Sequence, residues 1–224
     1  MLLSYNQLVE VVEAGYLENV KPEHINGSSI DIVLGPKILV EEMPTAGECP
    51  ACGTAIEYGP DDRSSLIEGL PGMVSCPSEG CWRSSDIRKT LPVVDLEAKQ
   101  PLNMREVDCT DGFVLMPGEV CLAHSVEVFN LPRWLTAEYR LKSSQARCFL
   151  EHLHAGWCDP GWTGSTLTLE FVNLSRFHPL KLRAGMKIGQ ITVTQHEEVP
   201  LERSYTVRGQ YNNLKSVAQS GGIK

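Results

Sequence analysis

One carboxylate stands in the alternating segment Thr-Leu-Thr-Leu-Glu-Phe at positions 166–171. Because successive side chains of a strand point to opposite faces, Leu167, Leu169 and Phe171 share one face and Glu170 projects from the other. A carboxylate fixed on a strand suits general acid–base catalysis, in which a side chain within hydrogen-bond reach exchanges a proton with the reacting atoms. The alternative is a half-buried strand whose polar face meets water, which is the usual environment of Glu.

Four cysteines form two close pairs in turns that contain Gly or Pro, namely Cys49 with Cys52 and Cys76 with Cys81. Four thiolates on two turns can form the tetrahedral cage of a structural Zn²⁺, which leaves no coordination position for water. Two disulfides or reduced, unliganded thiols are the alternatives. The remaining cysteines lie mostly in strand-like apolar sequence and are expected to be small core residues: Cys109, Cys121, Cys148 and Cys158.

Cations and hydroxyls cluster in the segment Lys-Ser-Ser-Gln-Ala-Arg at positions 142–147. Lys142, Ser143, Ser144 and Arg147 could together bind a polyanion. The alternative is a solvated helix start, because Ser is a good N-cap residue.

The C-terminal stretch 208–224 is polar and rich in Gly and Ser, so it is expected to fray as termini usually do. Alternatively, Tyr211, Lys215 and Ser220 could close over a ligand.

The bulk composition limits the classes of partner. The chain has 224 residues and a formal net charge of −8, which argues against general binding to nucleic acid or to an anionic membrane surface. Polar residues interrupt the apolar N-terminal segment, so it resembles neither a signal peptide nor a membrane span. We therefore expect a cytoplasmic protein, in which eight cysteines are thiols or metal ligands more often than disulfides.

The segments that position these residues are mainly strands. Apolar residues at helical spacing predict a short N-terminal helix that ends near Gly15. The stretch 25–42 predicts a strand pair after a turn at Asn26-Gly27, and the stretch after residue 90 contains short strands separated by turns that contain Pro or Gly. The composition of 43–89 has little periodicity. We therefore predict a mainly β barrel or sandwich formed by 1–42 and 90–224, with 43–89 as an inserted zinc-ribbon-like module.

Several motifs occur in a characteristic order: INGSSIDIVLGPK, LMPGEVCLAHSVEVFNLP, KSSQAR, HAGWCDPGWTG, LTLEFVN and LRAGMKIGQI. In this combination the chain resembles the dCTP deaminase branch of the dUTPase-like superfamily, over nearly its whole length outside 43–89. The resemblance implies a distorted β barrel assembled as a homotrimer, with active sites between subunits. It also implies hydrolysis of the 4-amino group of dCTP to give dUTP and ammonia without a catalytic zinc, and Mg²⁺ bound through the triphosphate.

The resemblance assigns catalytic roles to four residues. Glu170 matches the general acid/base, which takes a proton from the attacking water and delivers it to the pyrimidine ring. Ser143 matches the serine that helps to hold this water, and the Ala155 carbonyl matches the group that positions it. Asp159 matches the aspartate of a turn that, in dUTPases, lies by the deoxyribose and by the water that attacks phosphate.

Nucleotide contacts are implied for Ser144 and Arg147, and for Lys142, which replaces the Arg that the family usually has. The pair Gly156-Trp157 resembles that of deaminases which also hydrolyse dUTP to dUMP. Tyr211 and Lys215 fall in the C-terminal lid segment of the family.

Between Gly164 and Glu170 lie five residues, one more than the family pattern. A one-residue change reverses which face of a strand a side chain occupies, so the resemblance requires a β-bulge near Ser165 to return Glu170 to the site. Two other functions stay open: a pyrophosphatase that acts on dUTP, dCTP or a modified dNTP, and a non-catalytic nucleotide-binding interaction protein.

Overall fold

The computed structural model describes residues 1–62, 72–81, 83–98 and 102–221. The chain divides into two compact units. The first unit comprises Met1–Val40 and Arg105–Gln219, and the second comprises Glu41–Met104 with Ser220–Lys224. The sequence pattern placed the inserted module at 43–89, within the second unit.

The helices of the first unit are short. They are α1 (Tyr5–Glu13), α2 (Ser143–Ala146) and α3 (Tyr205–Arg208), with 3₁₀ turns at Pro22–His24 and Leu201–Arg203. Helix α1 begins after Ser4, whose backbone N–H donates to the Gln7 side chain at 3.0 Å, and Gly15 follows its end with a left-handed φ of 74°. The predicted N-terminal helix is thus confirmed. Within the described residues, no helix is long and apolar enough to cross a membrane.

Strands are the main regular secondary structure of the described residues, as the alternating segments predicted. In chain order they are β1 (Leu17–Glu18), β2 (Ile30–Val33), β3 (Lys37–Glu41), β4 (Ala46–Glu48), β5 (Ala55–Glu57), β6 (Met73–Ser75), β7 (Ser84–Asp86), β8 (Met104–Asp108), β9 (Phe113–Leu115), β10 (Val120–Asn130), β11 (Leu135–Leu141), β12 (Leu150–Glu151), β13 (Trp157–Cys158), β14 (Thr163–Asn173), β15 (Leu180–Leu182) and β16 (Lys187–Gln195).

Two antiparallel sheets organise the first unit. One has the order β12-β14-β10-β3-β8, with β1 also paired to β10, and the other has the order β13-β11-β16-β2. Their apolar faces form one core, in which Phe129, Phe171 and Ile191 are fully buried. This mainly β architecture confirms the predicted fold class.

The predicted strand pair in 25–42 is only partly correct. Both strands exist, but β2 pairs with β16 while β3 pairs with β10. All four residues of β2 are buried, including Asp31. The alternation of apolar and polar residues in its sequence therefore does not mark one buried face and one solvent-exposed face. Pairing between distant segments replaced the local hairpin because it buries both faces of β2.

A β-bulge interrupts the pairing of β10 with β14 next to Ser165, the residue near which the resemblance requires one. Phe129 pairs with Ser165 but the next residue, Asn130, pairs with Thr163, so Gly164 is the extra residue. Gly164 has a left-handed φ of 68°, which suits a bulge because glycine lacks the Cβ that makes this conformation costly. Its backbone N–H donates to the Asn130 side chain at 2.9 Å.

We expect Gly164→Ala to destabilise the first unit by more than the ~1–2 kcal/mol of left-handed strain alone. A Cβ at this position would lie 2.4 Å from Asn213 Oδ1, so it would also displace the C-terminal segment. Gly118→Ala is the matched control, because Gly118 has a φ of 82° with nothing within 4 Å of its Cβ direction. Equal losses in denaturant unfolding for the two variants would contradict the contact with Asn213.

Residues 211–214 lie against the start of β14, so the prediction of a frayed tail is wrong for this range. The Leu214 carbonyl accepts from the backbone N–H of Thr166 at 2.8 Å, and the Tyr211 carbonyl accepts from Trp162 Nε1 at 2.8 Å. Ser165 Oγ donates to the same Tyr211 carbonyl at 2.7 Å. These bonds explain why a polar segment is ordered: it satisfies the backbone of the bulge.

The second unit contains two hairpins, β4–β5 and β6–β7, and a 3₁₀ turn at Ile87–Lys89. Among its described residues, the buried apolar ones are few: Cys49, Ile56, Tyr58, Val74 and Ile87. A core of this size supplies little stability, so a further source of stabilisation is needed.

Candidate active site and candidate metal centre

Glu170 is half-buried on β14, opposite Leu122 of β10. Its neighbours Leu169 and Phe171 are buried in the core, as the alternating pattern predicted. Burial disfavours the ionised carboxylate and raises the pKa of Glu170 to about 7. A carboxyl group with this pKa is present in both protonation states near neutral pH, so it can accept a proton in one step and donate it in the next.

Tyr139 on β11 lies in the electrostatic field of Glu170. Burial, and secondarily the charge of Glu170, raises the pKa of Tyr139. Its hydroxyl is buried and has no hydrogen-bond partner among the described residues. Buried hydroxyl groups normally have a hydrogen-bond partner, so a water molecule or a ligand atom is the expected partner of this one. The sequence does not single out Tyr139, because a tyrosine in an alternating strand has the pattern of a core residue.

A cleft of about 390 Å³ opens beside Tyr139. It is bounded by strand β11, by helix α2 and by the segment 151–157. The lining residues are Glu138, Tyr139, Arg140, Leu141, Ala146, Glu151, His152, His154, Gly156 and Trp157. Of the predicted nucleotide-binding residues, Gly156 and Trp157 therefore line this cleft.

Close packing against the backbone of β11 holds Gly156 and Trp157 at the cleft. The Gly156 carbonyl accepts from the backbone N–H of Tyr139 at 2.8 Å, and a Cβ on Gly156 would lie 2.6 Å from the Tyr139 carbonyl oxygen. Trp157 is 62% exposed, and its Nε1 donates to Asp159 Oδ1 at 3.1 Å. The structure thus brings the predicted catalytic Asp159 to the side of Trp157. Ala155 is exposed, and it follows Leu153 and His154, which both have a left-handed φ.

Helix α2 presents Ser143, Ser144 and Arg147 at the surface. All three are exposed in the single chain, and the helix end at Ala146 borders the cleft. Lys215 is also exposed, whereas the Tyr211 backbone is bound to the start of β14. Among the described residues, neither Tyr211 nor Lys215 lines the cleft.

Lys142 is held by an ion pair that sequence analysis did not anticipate. Its Nζ donates to Asp31 Oδ1 at 2.5 Å, and Lys187 Nζ lies 3.1 Å from Asp31 Oδ2. Burial alone would raise the pKa of Asp31, but hydrogen bonds from Lys142, Lys187 and Asn26 outweigh it and lower that pKa. The one sequence signal was the INGSSID motif, which contains both Asn26 and Asp31 but carried no assigned role. Lys142 is thus oriented by Asp31, and its side chain is 28% exposed.

Glu127 is a second buried carboxylate near this ion pair, and it lies where β10 departs from regular pairing with β14. It is 0% exposed and accepts the backbone N–H of Val33 at 3.1 and 3.3 Å. Burial raises the pKa of Glu127 to about 7. Its carboxyl group therefore ties β10 to β2 and is protonated over much of the acidic range.

We expect the stability of the first unit to fall as the pH rises from about 4.5 to about 7, partly because of Glu127. In this window the unfolded chain has released the Glu127 proton while the folded chain retains it. The free energy of unfolding therefore falls by about 1.4 kcal/mol per pH unit. Glu127→Gln keeps an acceptor for Val33 and should flatten this slope in urea unfolding at several pH values. An unchanged slope would show that Glu127 ionises normally in the folded state.

The four paired cysteines converge in the second unit. Cys49 and Cys52 lie in the turn between β4 and β5, and Cys76 and Cys81 in the turn between β6 and β7. The Cys49 and Cys81 sulfurs are 3.8 Å apart, those of Cys52 and Cys76 are 3.6 Å apart, and all four lie within 4.8 Å of one another. Tetrahedral Zn–S bonds of about 2.3 Å place sulfurs about 3.8 Å apart, so this arrangement fits Zn²⁺.

These sulfur separations also exclude disulfides in this structure, because a disulfide bond is about 2.05 Å long. Of the other four cysteines, three are buried as predicted, but Cys148 is exposed. It follows α2 and precedes Phe149, whose φ of 66° turns the chain before β12, so Cys148 does not lie in a strand.

Comparison with known proteins places these features in context. Residues 82–196 match the sequence profile of a family described as dCTP deaminase-like. A "dCTP deaminase, dUMP-forming" from Hydrogenobaculum sp. is 36% identical over 143 residues, which cover 63% of this chain and 74% of that protein. A protein of the same name from Acidothermus cellulolyticus is 40% identical over 117 residues, covering 51% of this chain and 60% of that protein.

Among solved structures, 2′-deoxycytidine 5′-triphosphate deaminase from Agrobacterium tumefaciens is similar with a TM-score of 0.52. The sequence identity is 19%, and the match covers 86% of this chain and 48% of that chain. At this identity the likeness concerns the fold. The chain thus spans between about half and three quarters of the length of these relatives.

Proposed function

Because the chain belongs to the dCTP deaminase-like family, we propose that it hydrolyses dCTP to dUTP and ammonia and then hydrolyses dUTP to dUMP and pyrophosphate. The observation that carries this proposal is Glu170, a half-buried carboxyl group on a rigid strand with a pKa of about 7. The bulge at Gly164 supports it, because an extra residue at a bulge changes which face the following residues of the strand occupy. The names of the curated relatives support formation of dUMP.

The deamination step uses Glu170 twice. Glu170 accepts a proton from water as the water oxygen attacks C4 of cytosine, and it delivers that proton to the ring nitrogen beside C4. Transfer of the remaining hydroxyl proton at C4 to the amino group then lets the tetrahedral intermediate collapse, which expels ammonia and leaves the uracil carbonyl. Ser143 and the Ala155 carbonyl hold the attacking water, and desolvation of Glu170 keeps its basicity matched to neutral pH.

Hydrolysis of dUTP is assigned to the turn that contains Asp159. The hydrogen bond from Trp157 Nε1 holds the Asp159 carboxylate beside Trp157, which lines the cleft. Ser144, Arg147 and Lys142 contribute cationic and hydroxyl contacts for the triphosphate, and Tyr211 and Lys215 act from the C-terminal segment. Mg²⁺ bound through the triphosphate neutralises its clustered oxygens, since hard cations prefer oxygen ligands.

We propose a homotrimer with active sites between subunits. The exposed positions of Ser143, Ser144 and Arg147 support this, because a single chain leaves these contacts open on one side. Large apolar side chains are also exposed on the first unit: Phe149, Leu153, Trp157, Leu174 and Phe177. Eight cysteines without a disulfide favour a reducing compartment, so we place the activity in the cytoplasm.

We propose a structural Zn²⁺ bound by Cys49, Cys52, Cys76 and Cys81. The near-tetrahedral sulfur separations support it, and so does the small apolar core of the second unit. With four thiolate ligands the metal has no open position, so it stabilises the second unit and takes no part in the reaction.

The test is to incubate the purified protein with dCTP and Mg²⁺ and to identify products by chromatography with mass detection. Ammonia, dUMP and pyrophosphate are the expected products. Accumulation of dUTP would contradict the second step alone. Release of pyrophosphate with the 4-amino group intact, or unchanged dCTP, would contradict deamination.

A further inference from the structure

The segment Glu-His-Leu-His at 151–154 brings three metal-binding side chains together on one turn of the first unit. The ligand atoms of Glu151, His152 and His154 all lie within 4.8 Å of one another. Glu151 Oε1 is 3.7 Å from His154 Nε2. This cluster lines the cleft beside Tyr139, and its ligands are separate from the cysteine cluster of the second unit.

An unusual backbone conformation produces this convergence. Leu153 and His154 both have a left-handed φ of 55°, which non-glycine residues adopt rarely and at a cost in free energy. The two consecutive left-handed residues tighten the chain after β12, so that the rings of His152 and His154 lie side by side with centroids 4.9 Å apart. In a regular strand, side chains two residues apart share a face but do not converge in this way.

Two of the three side chains are already held in place. The Glu151 carboxylate accepts the backbone N–H of its neighbour His152 at 2.7 Å. The His152 side chain is buried and packs edge-on against the Tyr139 ring, with centroids 5.2 Å apart. His154, whose side chain is 83% exposed, has room to adjust when a ligand binds. A partly fixed ligand set lowers the entropy cost of binding.

We propose that Glu151, His152 and His154 form a second metal site, which takes a first-row divalent transition metal such as Zn²⁺ or Ni²⁺. Imidazole nitrogens suit both ions, and Zn²⁺ also takes carboxylate oxygens. Zn²⁺ binds nitrogen at about 2.0–2.1 Å, which places tetrahedral ligand atoms about 3.4 Å apart. The observed 3.7 Å between Glu151 and His154 is within a few tenths of this value. Three protein ligands leave a coordination position open toward the cleft.

A metal at this turn restrains the backbone that continues to Ala155 and Trp157. The site is thus distinct in kind from the closed cysteine site, because its open position can take water or an oxygen of a ligand in the cleft. The proposal does not rest on the proposed function, since metal binding is measured without nucleotide.

The test is calorimetric titration of the untagged, zinc-loaded full chain with NiCl₂, in the absence of nucleotide. Ni²⁺ is the probe because it prefers imidazole and carboxylate ligands over a preformed zinc–thiolate site. One Ni²⁺ per chain is expected, together with a rise in melting temperature on binding. Zinc content measured before and after the titration must stay constant, which shows that the cysteine cluster is not the site.

Two variants and a control make the test specific. His154→Ala should weaken Ni²⁺ binding by about 100-fold or more and remove the rise in melting temperature, and Glu151→Gln should weaken binding at least about tenfold. His178→Ala removes another exposed histidine and should bind as the unchanged protein does. Equal Ni²⁺ affinity in all four proteins would overturn the proposal, as would the absence of binding to the unchanged protein.

Discussion

Glu170→Gln is expected to reduce ammonia release from dCTP by about 10²–10⁴-fold, because general acid–base catalysis contributes a factor of this size. Gln has nearly the shape of Glu but neither accepts a proton from water nor delivers one to the ring. The measurement is steady-state ammonia release with dCTP and Mg²⁺. The variant should keep its affinity for dCTP, since the proton transfers and not the binding contacts are lost.

Two controls separate this effect from loss of the fold. Glu106→Gln removes an exposed carboxylate that pairs with Lys37 at 2.9 Å, and it should leave ammonia release unchanged. Because burial raises the pKa of Glu170, the ionised form destabilises the folded chain above pH 7, so Glu170→Gln should melt at the same or a higher temperature than the unchanged protein at pH 8. Ammonia release that survives in Glu170→Gln would reject the role of Glu170.

The same residue sets the pH dependence. The base form of Glu170 must accept the proton from water, so kcat/KM should fall below a pH of about 7 and approach a tenfold loss per pH unit. A profile with its acid limb near pH 4.5 would show that Glu170 is ionised normally or is not the base.

Removal of zinc is expected to unfold the second unit, which is the other large effect. Structural Zn²⁺ contributes about 10–16 kcal/mol of apparent binding free energy in small zinc-binding peptides, and the apolar core among the described residues of this unit is small. Dialysis against a strong chelator, or Cys52→Ser, should release the metal and expose the hairpins β4–β5 and β6–β7 to protease. Mass spectrometry measures the loss of metal, and limited proteolysis measures the exposure of the hairpins.

Cys148→Ser is the matched control for this prediction. Cys148 is exposed and lies outside the cysteine cluster, so its replacement should leave both zinc content and protease resistance unchanged. A second unit that carries no zinc as purified and resists protease would contradict the zinc proposal. It would favour the alternative in which the four cysteines are reduced, unliganded thiols.

Local patterns in the sequence determined much of this protein. Alternation in 166–171 placed Leu169 and Phe171 in the core and Glu170 on the other face, because side chains of a strand alternate by geometry alone. The spacing of Cys49, Cys52, Cys76 and Cys81 determined the cysteine cluster, since two tight turns are the shortest way to bring four thiolates together.

Only the tertiary structure decided which distant segments meet. The separate pairing of β2 and β3, the ion pair between Asp31 and Lys142, and the approach of Tyr139 to Glu170 all join residues far apart in the chain. No local propensity encodes these contacts, because they arise from closing two sheets around one core. The convergence of Glu151, His152 and His154 depends likewise on the left-handed backbone angles at Leu153 and His154, which no sequence pattern predicts for residues other than glycine.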